Sequence, residues 1–479
     1  MCQNYLLRIE DHVCSELPRS FHLGHELAPI ICHIFSQSLT TGDLPEDWLT
    51  ANIIAIYKKG EKCKPANYRP VSLTSVTCKL MEHIIFRHIM CHLEKHSILS
   101  NFQHGFRSGH SCESQLIITI EDLAHNLDNH WQTDVQILDF QKAFDVVPHR
   151  RLLQKLNFYG IRGPLLQWVE KWLTSRTQRV VVDGEISDAA QVKSGVPQGT
   201  VLGPLMFLIY INDIADHIDS FTRIRLFADD CLLYRVIQSP QDTEILQKDL
   251  TSLCNWAEKW QMKFNTAKCK TVRITTKKHP LIKSYNMCND QLEQVPHHPY
   301  LGVEISHNLK WTFHLNNIIA KANKALWFVR RNLWRCPQKV KEQLYFALVR
   351  PHLEFACAVW DPHTTTDVQR LEMIQHRAAR FVTKNYSRAK GSMTEILKNL
   401  QWPTLEQRRK QSRLTTMFKI QNETIAIPIP IPDYINRQSM KITRQYHPAK
   451  FRVHKANSQF IRSDNTGLER PPFKYPQHN

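Results

Sequence analysis

Apolar and polar positions recur along this chain with two periods, and each period predicts a different element. Residues 1–50 show a helical period, in which the recurring positions are His22, Leu23, Leu27, Ile30, Ile31, Ile34 and Phe35. Short runs of strand length begin at residues 51, 135, 179, 223, 271 and 295. Helical patterns lie between them, over 79–93, twice within 150–176, up to Ile214 and over 249–260. The pattern predicts strands interleaved with helices through residue 306, and helices alone from Trp311.

Two adjacent acids, Asp229 and Asp230, separate two apolar runs in the stretch from Arg223 to Tyr234. Because Asp is favoured where one strand turns back on the next, the stretch predicts two strands joined by a tight turn, with both acids at the tip. Two like charges held so close repel, so one acid is pushed towards protonation unless a cation neutralises both. Mg²⁺ suits hard oxygen ligands at this spacing. The alternative is a solvated turn without a ligand.

A third acid, Asp139, ends the apolar strand that begins at Val135. A single Asp at such a place is usually a turn or cap residue. Paired in space with Asp229 and Asp230, it would complete a three-carboxylate site for two divalent cations and in-line phosphoryl or nucleotidyl transfer. One ion would activate an attacking 3′-hydroxyl, and the other would neutralise a triphosphate and its leaving pyrophosphate.

Two arginines lie in loops where they can contact a phosphate. Arg69 follows the strand that begins at residue 51, and Arg107 lies in the Gly-punctuated loop 103–111. Either guanidinium can clamp a phosphate in bidentate fashion. The alternative for each is an ordinary surface arginine.

The segment 193–204 carries glycines that let a backbone approach a ligand closely, namely Gly195 and Gly199. Gln198 lies beside Gly199, in a place suited to contact a nucleotide. The alternative is a plain loop that caps the following apolar helix.

The charge balance of the chain is unusual. Lys and Arg number 62 against 44 Asp and Glu, which gives a net charge of +18 and a pI near 9.3. This excess favours a polyanionic partner, nucleic acid first and an anionic membrane second. The longest apolar run, 205–211, is far shorter than the roughly 20 residues that span a bilayer, so no membrane span is expected.

Thirteen scattered cysteines include no Cys-x-x-Cys pair, so neither a zinc site nor a disulfide framework is expected. Cys91, His92, His96 and His104 are clustered but lack ligand spacing. The first residues lack a signal-peptide core. We expect an intracellular protein with reduced thiols, in the nucleus or the cytoplasm.

The order of the motifs resembles a reverse transcriptase palm. These motifs are Asp139 to Phe144, Ser194-Gly195-Val196-Pro197-Gln198-Gly199, Phe227-Ala228-Asp229-Asp230, Lys268 and Tyr300-Leu301-Gly302. Their flanks, NYRPVSLTSV, QHGFRSGHS, LDFQKAFDVVPH and SGVPQGTVLGPLMFLIYINDI, are similar to those of jockey-like non-LTR retrotransposon reverse transcriptases. The resemblance covers about residues 25 to 420 and depends on several motifs in order.

The resemblance implies an α+β, right-hand polymerase fold of fingers, palm and thumb. The implied divisions are an N-terminal helical extension 1–50, fingers 51–134, a palm with inserted finger helices 135–294, a primer-grip hairpin 295–310, a helical thumb and connection 311–427, and a Pro-rich basic tail 428–479.

The resemblance also implies roles for single residues. Asp139, Asp229 and Asp230 match metal-binding carboxylates for two Mg²⁺ ions, with Mn²⁺ as a substitute and the Phe140 carbonyl as a further ligand. Lys268 resembles a general acid for pyrophosphate. The implied nucleotide-binding positions are Arg69, Arg107, Phe140, Gln141, Lys142, Ala143, Phe144, Gln198 and Gly199. The implied primer grip is Tyr300, Leu301 and Gly302. The implied partners are an RNA template, a DNA primer and dNTPs.

Phe144 discriminates between polymerase classes. It lies five residues after Asp139, where viral RNA-dependent RNA polymerases carry an Asp that reads the 2′-hydroxyl. An aromatic ring blocks that hydroxyl, so the resemblance implies DNA synthesis. Ala228 also disfavours an RNA polymerase, because those enzymes commonly have Gly there.

Some features depart from the family pattern. Full family elements carry an endonuclease upstream of the polymerase, whereas this chain starts at the finger extension, so we expect no endonuclease in it. The usual aromatic-rich C-terminal ending is not visible. The alternative function is therefore a catalytically incompetent, nucleic-acid-binding remnant of a truncated retroelement.

A basic stripe marks one of the C-terminal helices, formed by Arg370, Arg377, Arg380 and Lys384. Such a stripe is usually a solvated face. In a protein with a polymerase core it would instead follow a phosphate backbone. The sequence favours neither interpretation.

Overall fold

A computed structural model describes residues 24–362 and 364–427. The predicted tail, 428–479, and the first 23 residues of the predicted N-terminal extension lie outside the described residues. The helices are α1 Gly24–Thr41, α2 Glu46–Leu49, α3 Val76–Lys95, α4 Cys112–Asp128, α5 His149–Phe158, α6 Pro164–Thr174, α7 Leu202–Ile211, α8 Pro240–Lys259, α9 Thr312–Asn332, α10 Gln338–Leu344, α11 Arg350–Glu354, α12 Thr365–Thr383, α13 Ser392–Asn399 and α14 Leu405–Gln421. Short 3₁₀ helices cover Pro65–Asn67 and Asn212–His217, and a π-helical turn covers Tyr345–Val349.

Each run predicted from the sequence contains at least one strand, and further strands lie outside those runs. They are β1 Thr50–Tyr57, β2 Tyr68–Leu73, β3 Gln132–Leu138, β4 Thr177–Val182, β5 Glu185–Ile186, β6 Ala190–Gln191, β7 Arg223–Phe227, β8 Asp230–Ile237, β9 Lys270–Ile274, β10 Asn286–Met287, β11 Asp290–Gln291, β12 Glu293–Gln294, β13 His297–Tyr300 and β14 Val303–Ser306.

The helix predicted over 249–260 is longer than expected. Helix α8 begins at Pro240, because Ser239 and Asp242 form a capping box that satisfies the free N–H groups of the first turn. Proline at the first helical position adds a backbone angle that already suits a helix. The capping signal lies before the apolar residues on which the prediction depended.

Helix α1 has the predicted helical pattern, but only part of its apolar surface is buried. Phe35 is buried, whereas Leu27, Ile30 and Ile34 are exposed. The buried side packs against α6, where Trp168 Nε1 donates a hydrogen bond to Ser38 Oγ at 3.0 Å.

The described chain divides into two compact units. The first contains residues 24–111, Asp134–Arg273 and Leu281–Val295, and the second contains Cys112–Thr133, Ile274–Pro280 and residues 296–427. The implied boundaries of fingers, palm and thumb remain predictions.

The described part of the first unit contains two five-stranded sheets and the small two-stranded sheet β10–β11. Strand β3 is the middle of a five-stranded sheet in the order β12-β9-β3-β8-β7, and every residue of β3 is buried. The second sheet has the order β2-β1-β4-β5, with β6 paired to β4. Helix α7 is apolar on all sides and almost completely buried, as expected for a helix through a core.

One buried acid in β3 has a complete set of partners. Asp134 accepts hydrogen bonds from Arg273 Nε at 3.1 Å and from the Tyr285 hydroxyl at 2.8 Å. A buried carboxylate is tolerated when it is paired in this way. Asp134 is therefore a structural acid of the sheet.

The second unit is mainly helical, as predicted for residues from 311 onwards. The predicted apolar face of α9 is buried at Ile318, Ala322, Leu326 and Val329, and α9 packs against α12. Among the described residues, no helix is long and apolar enough to cross a membrane.

Candidate active site

The two adjacent acids lie on the β7–β8 hairpin of the first unit. Phe227 pairs with Asp230 across the hairpin, so the turn itself consists of Ala228 and Asp229. The prediction that both acids form the tip is therefore wrong by one position, because Asp230 already begins β8. Ala228 has φ +53°, a conformation that hairpin turns usually assign to glycine.

Asp139 directly follows the central strand β3. Its carbonyl oxygen accepts a hydrogen bond from Asn265 N at 2.7 Å, and its N–H donates to Cys269 Sγ at 3.4 Å. Lys268 Nζ lies 2.8 Å from Asp139 Oδ2. The short loop 265–269 thus holds both the backbone and the carboxylate of Asp139.

The three acids influence one another electrostatically. Loss of hydration raises the pKa of Asp229, and the nearby Asp139 carboxylate raises it further, against the opposite effects of Arg69 and Lys58. Loss of hydration also raises the pKa of Asp230 to about 6, with further increases from Asp229 and Asp139. The structure therefore places the three predicted carboxylates close enough for their charges to influence one another.

The donor chemistry of this site fits a hard divalent cation. Carboxylate oxygens are the ligands that Mg²⁺ prefers, and the cation that lies on Asp139 is the Lys268 ammonium. Within the described ranges, no three His, Cys, Asp or Glu side chains converge as a ready-made metal site. A divalent ion would therefore compete with Lys268 for Asp139.

Phe140 is fixed immediately beside Asp139. It forms an isolated antiparallel bridge with Phe264, and the two rings stack with centroids 4.3 Å apart. The hydrogen bonds on either side of this bridge are made by Asn265 N to Asp139 O and by Gln141 N to Lys263 O at 2.8 Å. Neither of them uses the Phe140 carbonyl, which stays a predicted metal ligand.

The predicted nucleotide-binding run continues through Phe144. Gln141 and Lys142 are exposed, whereas Ala143 is buried. The half-buried Phe144 ring stacks on Phe207, with centroids 4.4 Å apart and an interplanar angle of 20°. The Phe106 ring lies edge-on to Phe144, with centroids 6.5 Å apart, and a contact of Phe144 with a sugar stays a prediction.

Gln198 connects two other predicted residues. Its Oε1 accepts a hydrogen bond from Arg69 Nε at 2.8 Å, and its Nε2 donates to Asp145 Oδ1 at 2.9 Å. The Gln198 carbonyl also accepts from Ser72 N at 2.7 Å, which joins the loop to β2. This chain of contacts holds the Arg69 guanidinium at one defined place.

Gly199 allows this close approach. Its φ is +97°, and a Cβ atom at this position would lie 2.8 Å from the carbonyl oxygen of Ser72. Both the backbone angle and the available space therefore favour glycine.

Arg107 bonds to its own loop. Its Nη1 donates to the carbonyls of Ser100 at 2.9 Å and Gln103 at 3.3 Å. The structure gives this arginine a role in loop conformation, and its contact with a phosphate remains a prediction.

The predicted primer grip belongs to the second unit. Leu301 and Gly302 form the β13–β14 turn with φ values of +46° and +86°, as a type I′ turn requires. Tyr300 is buried, and its hydroxyl accepts a hydrogen bond from Gln115 Nε2 at 3.3 Å.

Residues 56–305, more than half of the chain, match the family described as reverse transcriptase (RNA-dependent DNA polymerase). The chain belongs to the reverse transcriptase family. This membership confirms the resemblance and the α+β polymerase fold predicted from the sequence. Reverse transcriptases generally use divalent metal ions.

Relatives of this reverse transcriptase come from mobile elements. The RNA-directed DNA polymerase from mobile element jockey of Drosophila melanogaster is 29% identical over 369 residues, which are 73% of this chain and 39% of that protein. The probable RNA-directed DNA polymerase from transposon BS of the same species is 27% identical over 440 residues, or 87% and 47% of the two chains. The chain thus spans less than half of the length of these relatives.

Solved telomerase structures are also similar, at 12% sequence identity. The apo telomerase from Candida tropicalis has a TM-score of 0.44, with 78% of this chain and 64% of that chain covered. The telomerase from Candida albicans in complex with a TWJ fragment of telomeric RNA has a TM-score of 0.40, with coverage of 83% and 68%.

Sequence reasoning missed two residues at this site. Lys58, which directly follows β1, lowers the pKa of both Asp229 and Asp230. Gln103 contacts the Ala228 turn, 125 positions away in the chain. The only indication of Gln103 in the sequence was its position two residues before Gly105.

Proposed function

We propose that this chain is an RNA-directed DNA polymerase that adds dNTPs to a primer 3′-hydroxyl on an RNA template. The observation that carries the proposal is the electrostatic coupling of Asp139 with Asp229 and Asp230, at the ends of neighbouring strands of one sheet. The jockey and BS relatives support a retrotransposon origin.

The three aspartates and the Phe140 carbonyl would hold two Mg²⁺ ions, or Mn²⁺ in their place. Such ions, when bound, activate the 3′-hydroxyl and neutralise the triphosphate. Besides its ion pair with Asp139, Lys268 would then have a second role. Its half-exposed ammonium, released from Asp139, can donate a proton to the leaving pyrophosphate.

The remaining residues of the site position the incoming nucleotide. Arg69, held by Gln198, presents its free guanidinium edge to a triphosphate. Phe144 is supported by Phe207 and excludes a 2′-hydroxyl by its bulk, so deoxynucleotides are selected.

Nucleic-acid binding is supported by an exposed aromatic and basic surface on α9. Trp327 and Phe328 are 68% and 57% exposed, and Lys324 and Arg331 lie one turn away on either side. Aromatic faces beside cationic side chains suit the stacking of bases and the neutralisation of phosphates. We propose this surface of the second unit as a contact for template or primer.

Part of the basic stripe on α12 has a structural role. Arg370 Nη2 donates to Asn316 Oδ1 at 2.5 Å, and Arg377 Nη1 donates to Asn323 Oδ1 at 3.3 Å. Both bonds join α12 to α9, so these two arginines stabilise the helix pair that displays Trp327.

The test is primer extension by the purified full chain on poly(rA) with an oligo(dT) primer. Reactions contain Mg²⁺ or Mn²⁺ and either dTTP or UTP, with Asp229→Asn run alongside. We expect extension with dTTP, little with UTP, and a loss of roughly a thousandfold in the variant. Wild-type protein that binds RNA in a salt-dependent manner but extends no primer would support the remnant function instead.

A further inference from the structure

The turn that carries Asp229 contains a backbone conformation that needs external support. Ala228 lies between β7 and Asp229 with φ +53°, in the left-handed region that residues with a Cβ atom seldom adopt. Such conformations persist where the surrounding contacts fix them, and they are concentrated at functional sites. The contacts that fix Ala228 therefore also set the positions of the two acids that follow it.

Those contacts come from Gln103. Its Oε1 accepts hydrogen bonds from Ala228 N at 2.9 Å and from Gly105 N at 2.7 Å, and its Nε2 lies 3.3 Å from the carbonyl oxygen of Ala228. Gln103 is only 2% exposed, so water competes poorly for these bonds. One side chain thus binds both backbone polar groups of the left-handed residue.

Backbone hydrogen bonds to β7 fix the segment 102–105 and therefore the position of the Gln103 side-chain amide. Leu226 N donates to the Phe102 carbonyl at 2.9 Å, and His104 N donates to the Leu226 carbonyl at 2.9 Å. Gln103 and Leu226 form a parallel bridge, so the segment continues the sheet beyond its edge strand β7.

Gly105 completes the support by its small size. A Cβ atom at this position would lie 2.4 Å from Ala228 N, so any larger residue has to displace the turn. Gln103 and Gly105 therefore act on Ala228 from the same segment, one by bonding and the other by leaving space.

We propose that Gln103 is a positioning residue that sets Asp229 and Asp230 for divalent cation binding by fixing the Ala228 backbone. This inference rests on the proposed function, because it assumes that these acids bind the catalytic ions. Hydrogen-bond partners that orient metal ligands typically contribute about tenfold or more to metal affinity.

The test measures Mn²⁺ binding by the full chain without nucleotide, using titration calorimetry, and measures hydrogen exchange at the Ala228 amide. Gln103→Leu removes all the bonds of this amide. We expect about a tenfold weaker Mn²⁺ affinity and faster exchange at Ala228, with an intact fold by circular dichroism.

Gln375→Leu is the matched control. Gln375 is equally buried in the second unit, where it accepts from the Tyr345 hydroxyl and donates to the Pro403 carbonyl. Its replacement should lower thermal stability without changing Mn²⁺ affinity. A merely structural role of Gln103 would give the same result as this control, and that result would overturn the proposal.

Two further variants keep the proposal testable if Gln103→Leu does not fold. Gly105→Ala should weaken Mn²⁺ binding to a similar extent, because the added methyl group displaces both the Ala228 turn and the Gln103 side-chain amide that supports it. Adding Ala228→Gly to Gln103→Leu should restore part of the affinity, since glycine adopts a positive φ without support. Unchanged affinity in Gly105→Ala, or no rescue by Ala228→Gly, counts against the proposal.

Different results would refute the proposed polymerase activity and the positioning role of Gln103. A wild-type chain that binds Mn²⁺ yet extends no primer refutes the proposed polymerase, while the effect of Gln103 on Mn²⁺ binding and on Ala228 exchange is still measured. Primer extension with no effect of Gln103→Leu on Mn²⁺ binding refutes the positioning role alone.

Discussion

At the scale of single residues, the chemistry of this protein depends on carboxylates whose negative charge is only partly balanced by the cations near them. Asp139 has Lys268, but Asp229 and Asp230 are influenced mainly by lost hydration and by other carboxylates. The pKa values of Asp229 and Asp230 are raised first by the lost hydration and then by the neighbouring carboxylates. A sequence can suggest such acids by their order, but their mutual influence depends on a separation in space that the sequence does not contain.

The raised pKa of Asp230 makes stability depend on pH in a defined direction. The folded chain retains the proton up to about pH 6, whereas the unfolded chain loses it near 3.8. The folded state therefore binds more protons between these values, and its stability falls as pH rises through this window. We expect Asp230→Asn to lack this decrease.

Urea denaturation of the metal-free wild type and of Asp230→Asn, from pH 4 to pH 7, measures this difference. The variant should become the more stable of the two towards neutral pH. A constant difference across the window would show that Asp230 titrates normally.

Phe144 gives the second prediction at this scale. Phe144→Ala should reduce the preference for dTTP over UTP by about tenfold or more, because the steric block to the 2′-hydroxyl is removed. Steady-state kcat/KM for both nucleotides measures it. Phe158→Ala, at an 80% exposed position on α5, is the control and should leave the preference unchanged. Equal selectivity in Phe144→Ala would exclude this residue as the sugar filter.

At the scale of elements, local patterns predicted most helices and strands, and contacts between distant segments account for what was missed. Apolar residues in β3, β7 and β8 identified these strands, although the fully buried β3 also contains the polar residues Gln132, Thr133, Asp134 and Gln136. The support of the Ala228 turn by Gln103 and the bonding of Arg107 within its own loop depend on tertiary geometry. The order of motifs predicted Asp139, Asp229 and Asp230 as the catalytic acids, and the fold determines how these three residues are held.

Helix α7 illustrates such a distant contact. Glu82, completely buried on α3, accepts hydrogen bonds from Val201 N at 2.7 Å and Leu202 N at 3.1 Å at the start of α7, and from Trp172 Nε1 at 3.2 Å. A carboxylate at a helix N-terminus is favourable for both bonding and the helix dipole.

We expect Glu82→Ala to lower the free energy of unfolding by about 3 kcal/mol or more, because several buried donors lose their acceptor. Urea denaturation of the full chain measures this loss. Glu46→Ala, at an exposed position in α2, should change the stability little. Similar effects of the two substitutions would contradict the anchoring role of Glu82.

At the scale of the whole molecule, the net charge of +18 favours a polyanionic ligand, and the second unit displays aromatic rings beside cations. Phosphate neutralisation releases counterions, so affinity should fall steeply with salt. The excess of positive charge could be predicted from the amino-acid composition alone. That Trp327, Lys324 and Arg331 are all exposed on the same helix was learned from the structure.

Substitution on α9 tests this surface. Lys324→Gln combined with Arg331→Gln should reduce the slope of log K against log salt by about 1 to 2 for a labelled template–primer duplex. Fluorescence anisotropy over a range of KCl concentrations measures the slope. The control pair Lys95→Gln and Lys278→Gln removes the same charge at exposed positions and should change the slope less. Equal changes for both pairs would indicate that only net charge matters.

The most direct test of the central claim is single-turnover incorporation of one dTMP by the wild type, Asp139→Asn, Asp229→Asn and the double variant. If the acids act as one site, each single variant should lose nearly as much rate as the double variant, because residues that act together are not additive. Template–primer affinity should stay close to that of the wild type in all of them. Multiplied losses in the double variant, or substantial incorporation by either single variant, would contradict a shared catalytic role for these carboxylates.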